Sequence, residues 1–180
     1  MNGAEISKRV MIIAGETSGD FHGAHLVWAM RARAPQIDFA GIGGGRLKAA
    51  GVRILMNAGE LSVVGITEVI AKMPKVLSAI SAVKQELDRS RPGLVILVDF
   101  PDFNLQVARL AKKRGVPVLY YISPQIWAWR SWRINKIRRF VDRMVVILPF
   151  EKDYYDARQV PVTFVGHPLQ AAGHEFHAEN

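Results

Sequence analysis

Short apolar runs alternate with amphipathic stretches along most of the chain. The runs are rich in β-branched side chains, which is typical of strands buried on both faces of a sheet. They lie at residues 8–14, 37–42, 52–56, 95–98, 116–122, 144–148 and 160–165. The stretches between them predict helices that end near residues 33, 50, 88, 114 and 141, and a short helix that opens at Pro149. Strands and helices in this alternation predict an α/β fold with a parallel, doubly wound sheet.

The strand at residues 95–98 is followed by two carboxylates. Proline has no N–H for a strand ladder, so Pro101 ends the strand and leaves Asp99 and Asp102 at its carboxyl end. Ligands of open α/β sheets bind at that edge, which makes both residues candidates for acid/base chemistry. For Asp102 the pattern favours a simpler role, capping the next helix. For Asp99 the pattern is explained equally well by a structural role, in which the residue is buried and hydrogen-bonded within the turn.

Two glycine-containing turns follow the first two strands. Residues 15–20 read GETSGD and residues 41–45 read GIGGG. Glycine lets a ligand approach the backbone closely, so both turns are candidate sites for a sugar or an anion. Neither has the spacing of a Walker A loop or of a dinucleotide-binding fingerprint. For residues 15–20, a tight turn without a ligand, whose helix is capped by Ser18 or Asp20, is an equally good interpretation.

The region at residues 61–88 is unusually apolar. From Pro74 onward, apolar residues recur at helical spacing, which predicts an amphipathic helix that starts near the proline and packs on the sheet. The segment before it is more apolar than one packed face requires, and Lys72 and Lys75 flank it. We expect this region to rest on lipid or to receive an acyl chain. The side chains concerned are Val63, Val64, Ile66, Val69, Ile70, Met73 and Leu77.

Three of the four tryptophans lie within residues 127–132, beside Arg130 and Arg133. Such density indicates either a buried plug under a loop or a platform for a sugar ring, a base or a membrane interface, and we favour the platform. The next helix adds further cations, whose position beside the tryptophans favours an anionic partner over a merely solvated face. A lone histidine after the last strand, His167, is more typical of a structural residue.

The charge composition favours an anionic binding partner but does not identify which one. The 24 Lys and Arg residues outnumber the 16 Asp and Glu residues, and the net charge of +8 favours nucleic acid, a phosphorylated substrate or an acidic membrane surface. The absence of cysteine excludes a disulfide framework and a cysteine nucleophile. The apolar run at residues 10–15 is too short for a signal-peptide core, and charges and a proline interrupt residues 61–83. We therefore expect a soluble or peripheral protein.

Seven short motifs, in order along the chain, resemble those of the lipid-A-disaccharide synthase family. They are GETSGD at 15–20, GIGG at 41–44, LSVVGITEV at 61–69, DFPDFN at 99–104, SPQIWAWR at 123–130, LPFE at 148–151 and VGHPL at 165–169. Each motif alone is modest, but the ordered set is specific. The resemblance implies that residues 1–169 form a Rossmann-like domain, the N-terminal, acceptor-side half of a GT-B glycosyltransferase. Residues 170–180 are expected to be a linker or a divergent tail.

The family is one of inverting glycosyltransferases that use neither a metal nor a cofactor. The resemblance implies transfer from UDP-2,3-diacylglucosamine to 2,3-diacylglucosamine 1-phosphate, which gives lipid A disaccharide 1-phosphate and releases UDP. It also implies a peripheral location on the cytoplasmic face of the Gram-negative inner membrane. A homodimer and a separate C-terminal half stay open as partners, and no nucleic-acid partner is expected.

The resemblance also assigns roles to residues. Asp99 matches the family's essential aspartate, the general base that takes the proton of the acceptor 6-hydroxyl as it attacks the anomeric carbon. Such a base contributes roughly 10²- to 10⁴-fold in rate. Substrate binding is expected from Gly15, Glu16, Ser18, Gly19, Asp20, Gly43, Gly44, Asp102, Asn104, Gln125, Trp127 and Arg130.

The sequence departs from the family at its C-terminal end. Family members continue past residues 166–168 into a second domain that supplies most of the nucleotide site, whereas this sequence ends at Asn180. We therefore expect the chain to be inactive on its own. Two other functions stay open: a non-catalytic binding module for acylated phosphosugars or anionic membrane, and nucleic-acid binding. The second is disfavoured because carboxylates at the sheet edge would repel phosphates.

Overall fold

The computed structural model describes residues 8–61, 66–125 and 131–168, with the backbone alone at residues 66–72 and 131. Within these ranges, seven parallel strands form one sheet in the order β3-β2-β1-β4-β5-β6-β7. The strands are β1 (Arg9–Ala14), β2 (Asp38–Gly43), β3 (Arg53–Asn57), β4 (Leu94–Val98), β5 (Val118–Tyr121), β6 (Arg143–Val146) and β7 (Val162–Phe164). The predicted parallel, doubly wound α/β fold is confirmed.

Helices cover both faces of this sheet. Within the same ranges they are α1 (Thr17–Arg33), α2 (Gly45–Ala49), α3 (Ile66–Ser90), α4 (Pro101–Lys112), α5 (Ile134–Phe140) and α6 (Pro149–Asp156), with 3-10 turns at Ala58–Glu60 and Ser131–Arg133. Helices α1 and α2 pack on one face, and α3 to α6 on the other. Ile12 and Ile13 on β1 are both fully buried, one in each core. Successive strand residues point to opposite faces, so a central strand with two cores reads as a continuous apolar run.

The chain reverses its direction of travel across the sheet between β1 and β4. From β1 it proceeds outward to β2 and β3, and from β4 it proceeds the other way to β5, β6 and β7. Ligands of doubly wound sheets bind where the strand order reverses, at the carboxyl ends of the strands. Ala14 pairs with Val98 as the last residue of each strand. The turn at Gly15 and the turn at Asp99 therefore begin side by side.

Helix α3 corrects one prediction, because it begins at Ile66 and continues through Pro74 to Ser90. A proline inside a helix removes one N–H donor, which normally favours a helix start at that position. Here the residues after the proline are anchored strongly, since Ala79, Val83 and Leu87 are all fully or almost fully buried in the core. Pro74 itself is exposed.

Both predicted helix caps are also wrong. Helix α1 follows Glu16 and has no side-chain cap, and α4 follows Phe100 and has none either. Ser18 and Asp20 lie within the first turn of α1 and Asp102 is the second residue of α4, so all three lie beyond the capping position, which precedes the first helical residue. Pro101 is the first residue of α4 and has no N–H, so the helix start has one donor fewer that lacks a partner within the helix.

The other boundaries fall within about three residues of their predicted positions. No helix in the described ranges is both long and apolar enough to cross a lipid bilayer. The predicted tail at residues 170–180 lies outside the described residues.

Candidate active site

The turn between β4 and α4 places Asp99 at the carboxyl edge of the sheet in an unusual backbone conformation. Asp99 and Phe100 have φ angles of +45° and +47°, in the left-handed region that non-glycine residues rarely adopt. Two consecutive residues of this kind persist only where surrounding groups hold them. Strain of this type is common at functional sites, which makes the turn a candidate for chemistry.

Two buried side chains hold this turn from below. The Asn104 amide donates to the carbonyl oxygens of Asp99 at 2.7 Å and of Val98 at 3.2 Å. The Tyr120 hydroxyl donates to the same Asp99 carbonyl at 2.6 Å. Asn104 and Tyr120 are fully buried, and no partner for the Asn104 Oδ1 is found among the described residues. Asn104, predicted to bind substrate, therefore lies under the turn, and a substrate contact from it stays a prediction.

The glycine at position 15 makes room for this turn. A Cβ atom placed on Gly15 would lie 2.2 Å from Cγ and Cδ1 of the Phe100 ring, far inside van der Waals contact. The Phe100 ring also stacks on Phe103, with ring centroids 5.6 Å apart. Gly15 thus allows the β1 turn and the β4 turn to lie against each other, which brings Glu16 close to Asp99.

Burial and charge both act on the Asp99 carboxyl. Burial is the larger effect that raises the pKa of Asp99 above its ordinary value of 3.8, and the negative charge of Glu16 raises it further. A hydrogen bond from the Phe100 backbone opposes the rise in pKa. A carboxylate with a raised pKa is a stronger base than an ordinary aspartate, which suits the removal of a proton from a hydroxyl group.

A cavity of about 370 Å³ opens beside Asp99. Its polar lining residues are Asp99, Ser123, Gln125, Arg133 and Glu151. Its apolar lining residues are Pro101, Ile122, Pro124, Ile147 and Leu148. Small-molecule sites range from about 300 to 1,000 Å³, so this volume suits a ligand the size of one sugar ring.

The far wall of the cavity is held by a buried hydrogen-bond chain. The Ser123 hydroxyl donates to the Pro124 carbonyl at 3.0 Å and lies 2.6 Å from the Tyr155 hydroxyl. Because Ser123 has one hydroxyl proton, Tyr155 is the donor in the second bond. Burial raises the pKa of Tyr155, which keeps that proton in place. Glu151, also buried, accepts from the Leu148 N–H at 3.1 Å and fixes the start of α6.

Arg133 contributes a positive charge to the cavity wall. Its side chain is only 5% exposed and it donates to the carboxylate of Asp102, which is 73% exposed. Asp102 is therefore the counter-ion of a buried arginine, and not a helix cap. The predicted binding residues did not include Arg133. Its position in the tryptophan- and arginine-rich segment was the feature of the sequence from which a binding role for Arg133 could have been predicted.

Asp20 links the two glycine turns. Its Oδ1 accepts from the N–H groups of Gly44 at 2.7 Å and Leu47 at 3.1 Å, and its Oδ2 accepts from the Arg46 N–H at 3.0 Å. The carboxylate thus caps α2, the helix after the second turn. A Cβ on Gly44 would lie 2.7 Å from Asp20 Oδ2, which is too close, so the contact with this carboxylate favours glycine at position 44. Substrate contacts from Asp20, Gly43 and Gly44 stay predictions.

The other residues predicted to contact substrate or membrane differ in their burial and in whether the structure describes them. Gly15 and Gly19 are buried, Glu16 and Ser18 are exposed, and Gln125 lines the cavity. Trp127 and Arg130 lie outside the described residues. So do Val63 and Val64, while Ile66, Val69 and Ile70 belong to α3 with no description of their side chains. Met73 and Leu77 are 47% and 62% exposed.

Comparison with known families places nearly the whole chain in one family. The family model described as lipid-A-disaccharide synthetase matches residues 10–179. A lipid-A-disaccharide synthase of Syntrophus aciditrophicus is 55% identical over 163 residues, which are 91% of this chain and 43% of that protein. Proteins with the same name from Geobacter metallireducens and Coxiella burnetii are 50% and 46% identical over 93% and 92% of this chain, and 44% of each relative. The chain thus spans less than half the length of these relatives.

Solved structures agree on the fold. A UDP-N-acetylglucosamine 2-epimerase is similar with a TM-score of 0.64 at 12% identity, over 88% of this chain and 48% of that one. The calicheamicin glycosyltransferase is similar with a TM-score of 0.55 at 14% identity, over 88% of this chain and 52% of that one. At such identities the likeness shows the fold alone. It confirms the predicted Rossmann-like domain of the GT-B type.

Proposed function

The chain belongs to the lipid-A-disaccharide synthase family, and from this premise we propose that it forms the acceptor-side part of a hexosyltransferase of lipid A biosynthesis. The observation that carries the proposal is Asp99: a carboxyl with a raised pKa, held on a strained turn, beside a cavity that suits one sugar ring.

The proposed reaction joins two acylated sugars. The 6-hydroxyl oxygen of 2,3-diacylglucosamine 1-phosphate attacks the anomeric carbon of UDP-2,3-diacylglucosamine, and the bond from that carbon to the UDP oxygen breaks. Asp99 takes the hydroxyl proton as the new bond forms, and UDP leaves as an anion. A single displacement inverts the anomeric carbon, so one base suffices and no covalent sugar intermediate is needed.

Arg133 has the position and charge to recognise a phosphate group. Its guanidinium is buried, lines the cavity and shares that wall with Gln125. Arginine presents a planar set of donors that matches phosphate oxygens. We assign to it the 1-phosphate of the acceptor, with Asp102 maintaining its orientation.

Helix α3 supports a peripheral location at the inner face of the inner membrane. Met73 and Leu77 expose large apolar side chains in the first half of this helix. Exposed apolar residues on a helix near cations are typical of a surface that rests on lipid. Substrates with acyl chains have to be taken from such a surface, so the location and the reaction agree.

We propose that the transfer also needs the part of the family that this chain does not match. The domain at residues 1–169 supplies the base and the acceptor cavity, and residues 170–180 are a linker or tail. The relatives are more than twice as long as the matched region. The remaining region, from the same polypeptide, from a separate chain or within a homodimer, would bind the UDP group.

The experiment compares this chain with a fusion to the unmatched C-terminal region of the Syntrophus aciditrophicus relative. Each is incubated with UDP-2,3-diacylglucosamine and radiolabelled 2,3-diacylglucosamine 1-phosphate, and the products are separated by thin-layer chromatography. We expect the disaccharide from the fusion only. Product from the chain alone would contradict the need for the second region. Acceptor binding by a fusion that makes no product would instead indicate a binding module.

A further inference from the structure

A long groove runs between helices α4 and α5, on the side of the sheet opposite α1 and α2. Its volume is about 960 Å³. Side chains from both helices line it, and Leu105 and Phe140 are among its apolar residues. Trp132 lines the end of the groove near the start of α5. This volume is far larger than a single phosphate ion requires and is near the upper end of the range of ligand sites.

The groove is strongly cationic. Six basic side chains line it, against the single carboxylate of Asp102. Two of the six have acidic partners, since Lys112 pairs with Asp142 at 2.6 Å and Arg133 pairs with Asp102. The other four are Arg109, Lys113, Lys136 and Arg139, which are all exposed. Within the described part of the chain, none of these four forms an ion pair, so the groove holds a concentrated excess of positive charge.

Aromatic rings lie beside these cations. Trp132 is 58% exposed, and the Lys136 ammonium lies 5.0 Å from its ring centroid. The Arg139 guanidinium lies 5.4 Å from the centroid of Phe140. An exposed tryptophan with an adjacent lysine is the combination found where a protein meets the headgroup level of a bilayer. The groove therefore offers an apolar contact and a charge contact to the same ligand.

The neighbouring helix extends the apolar part of this surface. Helix α4 packs against both α3 and α5. Helix α3 exposes Met73 and Leu77. This face of the protein thus has exposed apolar side chains on α3 and, on the far side of α4, a groove with four cations that form no ion pair in the described part of the chain.

We propose that the groove between α4 and α5 binds the phosphate headgroup of an anionic lipid. The four unpaired cations meet the phosphate, and Trp132 contacts the glycerol and the upper part of the acyl chains. This site is distinct from the cavity beside Asp99, although Arg133 borders both. The inference rests on the proposed function only in placing the protein at a bilayer, and its test needs no glycosyl transfer.

The test is co-sedimentation of the 180-residue chain with vesicles of phosphatidylcholine alone, or with a third of the lipid replaced by phosphatidylglycerol. We expect binding to the anionic vesicles only. The double variant Lys113→Glu/Arg139→Glu should lower the partition coefficient about tenfold or more, because each cation near an anionic surface contributes substantially to binding. The neutral double variant Lys113→Gln/Arg139→Gln should give a smaller loss in the same direction.

A matched control separates the groove from net charge. Lys8 and Lys48 are exposed and lie away from the groove, and Lys8→Glu/Lys48→Glu changes the net charge by the same amount. Retention of vesicle binding by this control supports the groove. An equal loss in both glutamate variants would overturn the proposal, since it would show attraction by net charge alone.

Two further arms distinguish other occupants. Trp132→Ala should weaken vesicle binding severalfold and leave any binding of glycerol 1-phosphate unchanged. If glycerol 1-phosphate binds the chain as tightly as the vesicles do, the groove is a site for free phosphates and the lipid proposal is wrong. Groove-dependent binding of a single-stranded oligonucleotide without vesicle binding would assign the groove to nucleic acid and also overturn it.

Discussion

The buried hydroxyl of Tyr120 donates a hydrogen bond of 2.6 Å to the backbone carbonyl of Asp99. Burial is the main reason that the pKa of Tyr120 lies well above its usual value, so the hydroxyl keeps its proton and stays a donor. Asn104 binds the same carbonyl from α4. The backbone conformation of Asp99 is thus held by groups under the turn, and the residue lines the cavity.

Tyr120→Phe removes this donor and leaves a buried carbonyl with one partner fewer. We expect a loss of about 1–2 kcal/mol in the free energy of unfolding, measured by urea denaturation. Tyr121→Phe is the matched control, because Tyr121 is the next residue on β5 and has no side-chain hydrogen bond among the described residues. Equal losses in the two variants would show that the bond to Asp99 contributes little.

Gly15→Ala places a methyl group where the Phe100 ring lies. We expect overpacking to cost about 1–3 kcal/mol in stability. The cost should fall in a Phe100→Ala background, because the clashing ring is then absent. A double-mutant cycle by urea denaturation measures this coupling. Additive effects would mean that Gly15 is required for a reason other than Phe100.

Asp20→Ala removes the acceptor of three backbone N–H groups at the start of α2. We expect a loss of about 2 kcal/mol or more in the free energy of unfolding, because one buried and two partly buried N–H donors are left without partners. Asp38→Ala, an exposed position on β2, should change stability by less than about 0.5 kcal/mol. Thermal denaturation of both variants distinguishes a structural carboxylate from an exposed one. A neutral result for Asp20→Ala would contradict the capping role.

The raised pKa of Asp99 predicts a specific pH dependence of stability. The folded state holds this proton more tightly than the unfolded state, so the carboxyl favours folding fully below its ordinary pKa of 3.8. That contribution is lost as pH rises through the raised, folded-state pKa. Asp99→Asn cannot ionise, so its stability relative to the parent chain should increase across that window. Parallel stability curves for the two proteins would show that the Asp99 pKa is not raised.

The alternation of apolar runs was sufficient to predict the sheet, because each central strand is buried on both faces and its signal is local. The same reasoning located Asp99, since a proline after a buried strand marks the edge where ligands bind. The end of a strand is a property of neighbouring residues, and these can be read directly.

Contacts between distant residues could not be predicted in this way. Arg133 is 31 residues from Asp102, and Asp20 is more than 20 residues from the helix that it caps. No periodicity records such pairs, so the carboxylates were interpreted as caps of their own helices. The helix start predicted near Pro74 was wrong for a related reason, since the tertiary packing of α3 outweighs the local preference of a proline.

The most direct test of the account is the steady-state rate of disaccharide formation by the fusion protein carrying Asp99→Asn, compared with Asp102→Asn on the same turn. If Asp99 is the general base, Asp99→Asn lowers kcat by roughly 10²- to 10⁴-fold, and Asp102→Asn mainly raises KM for the phosphorylated acceptor. The kcat of the parent fusion should also fall as pH drops below the raised pKa of Asp99. A kcat for Asp99→Asn within about tenfold of the parent would contradict the assignment of Asp99 as the base.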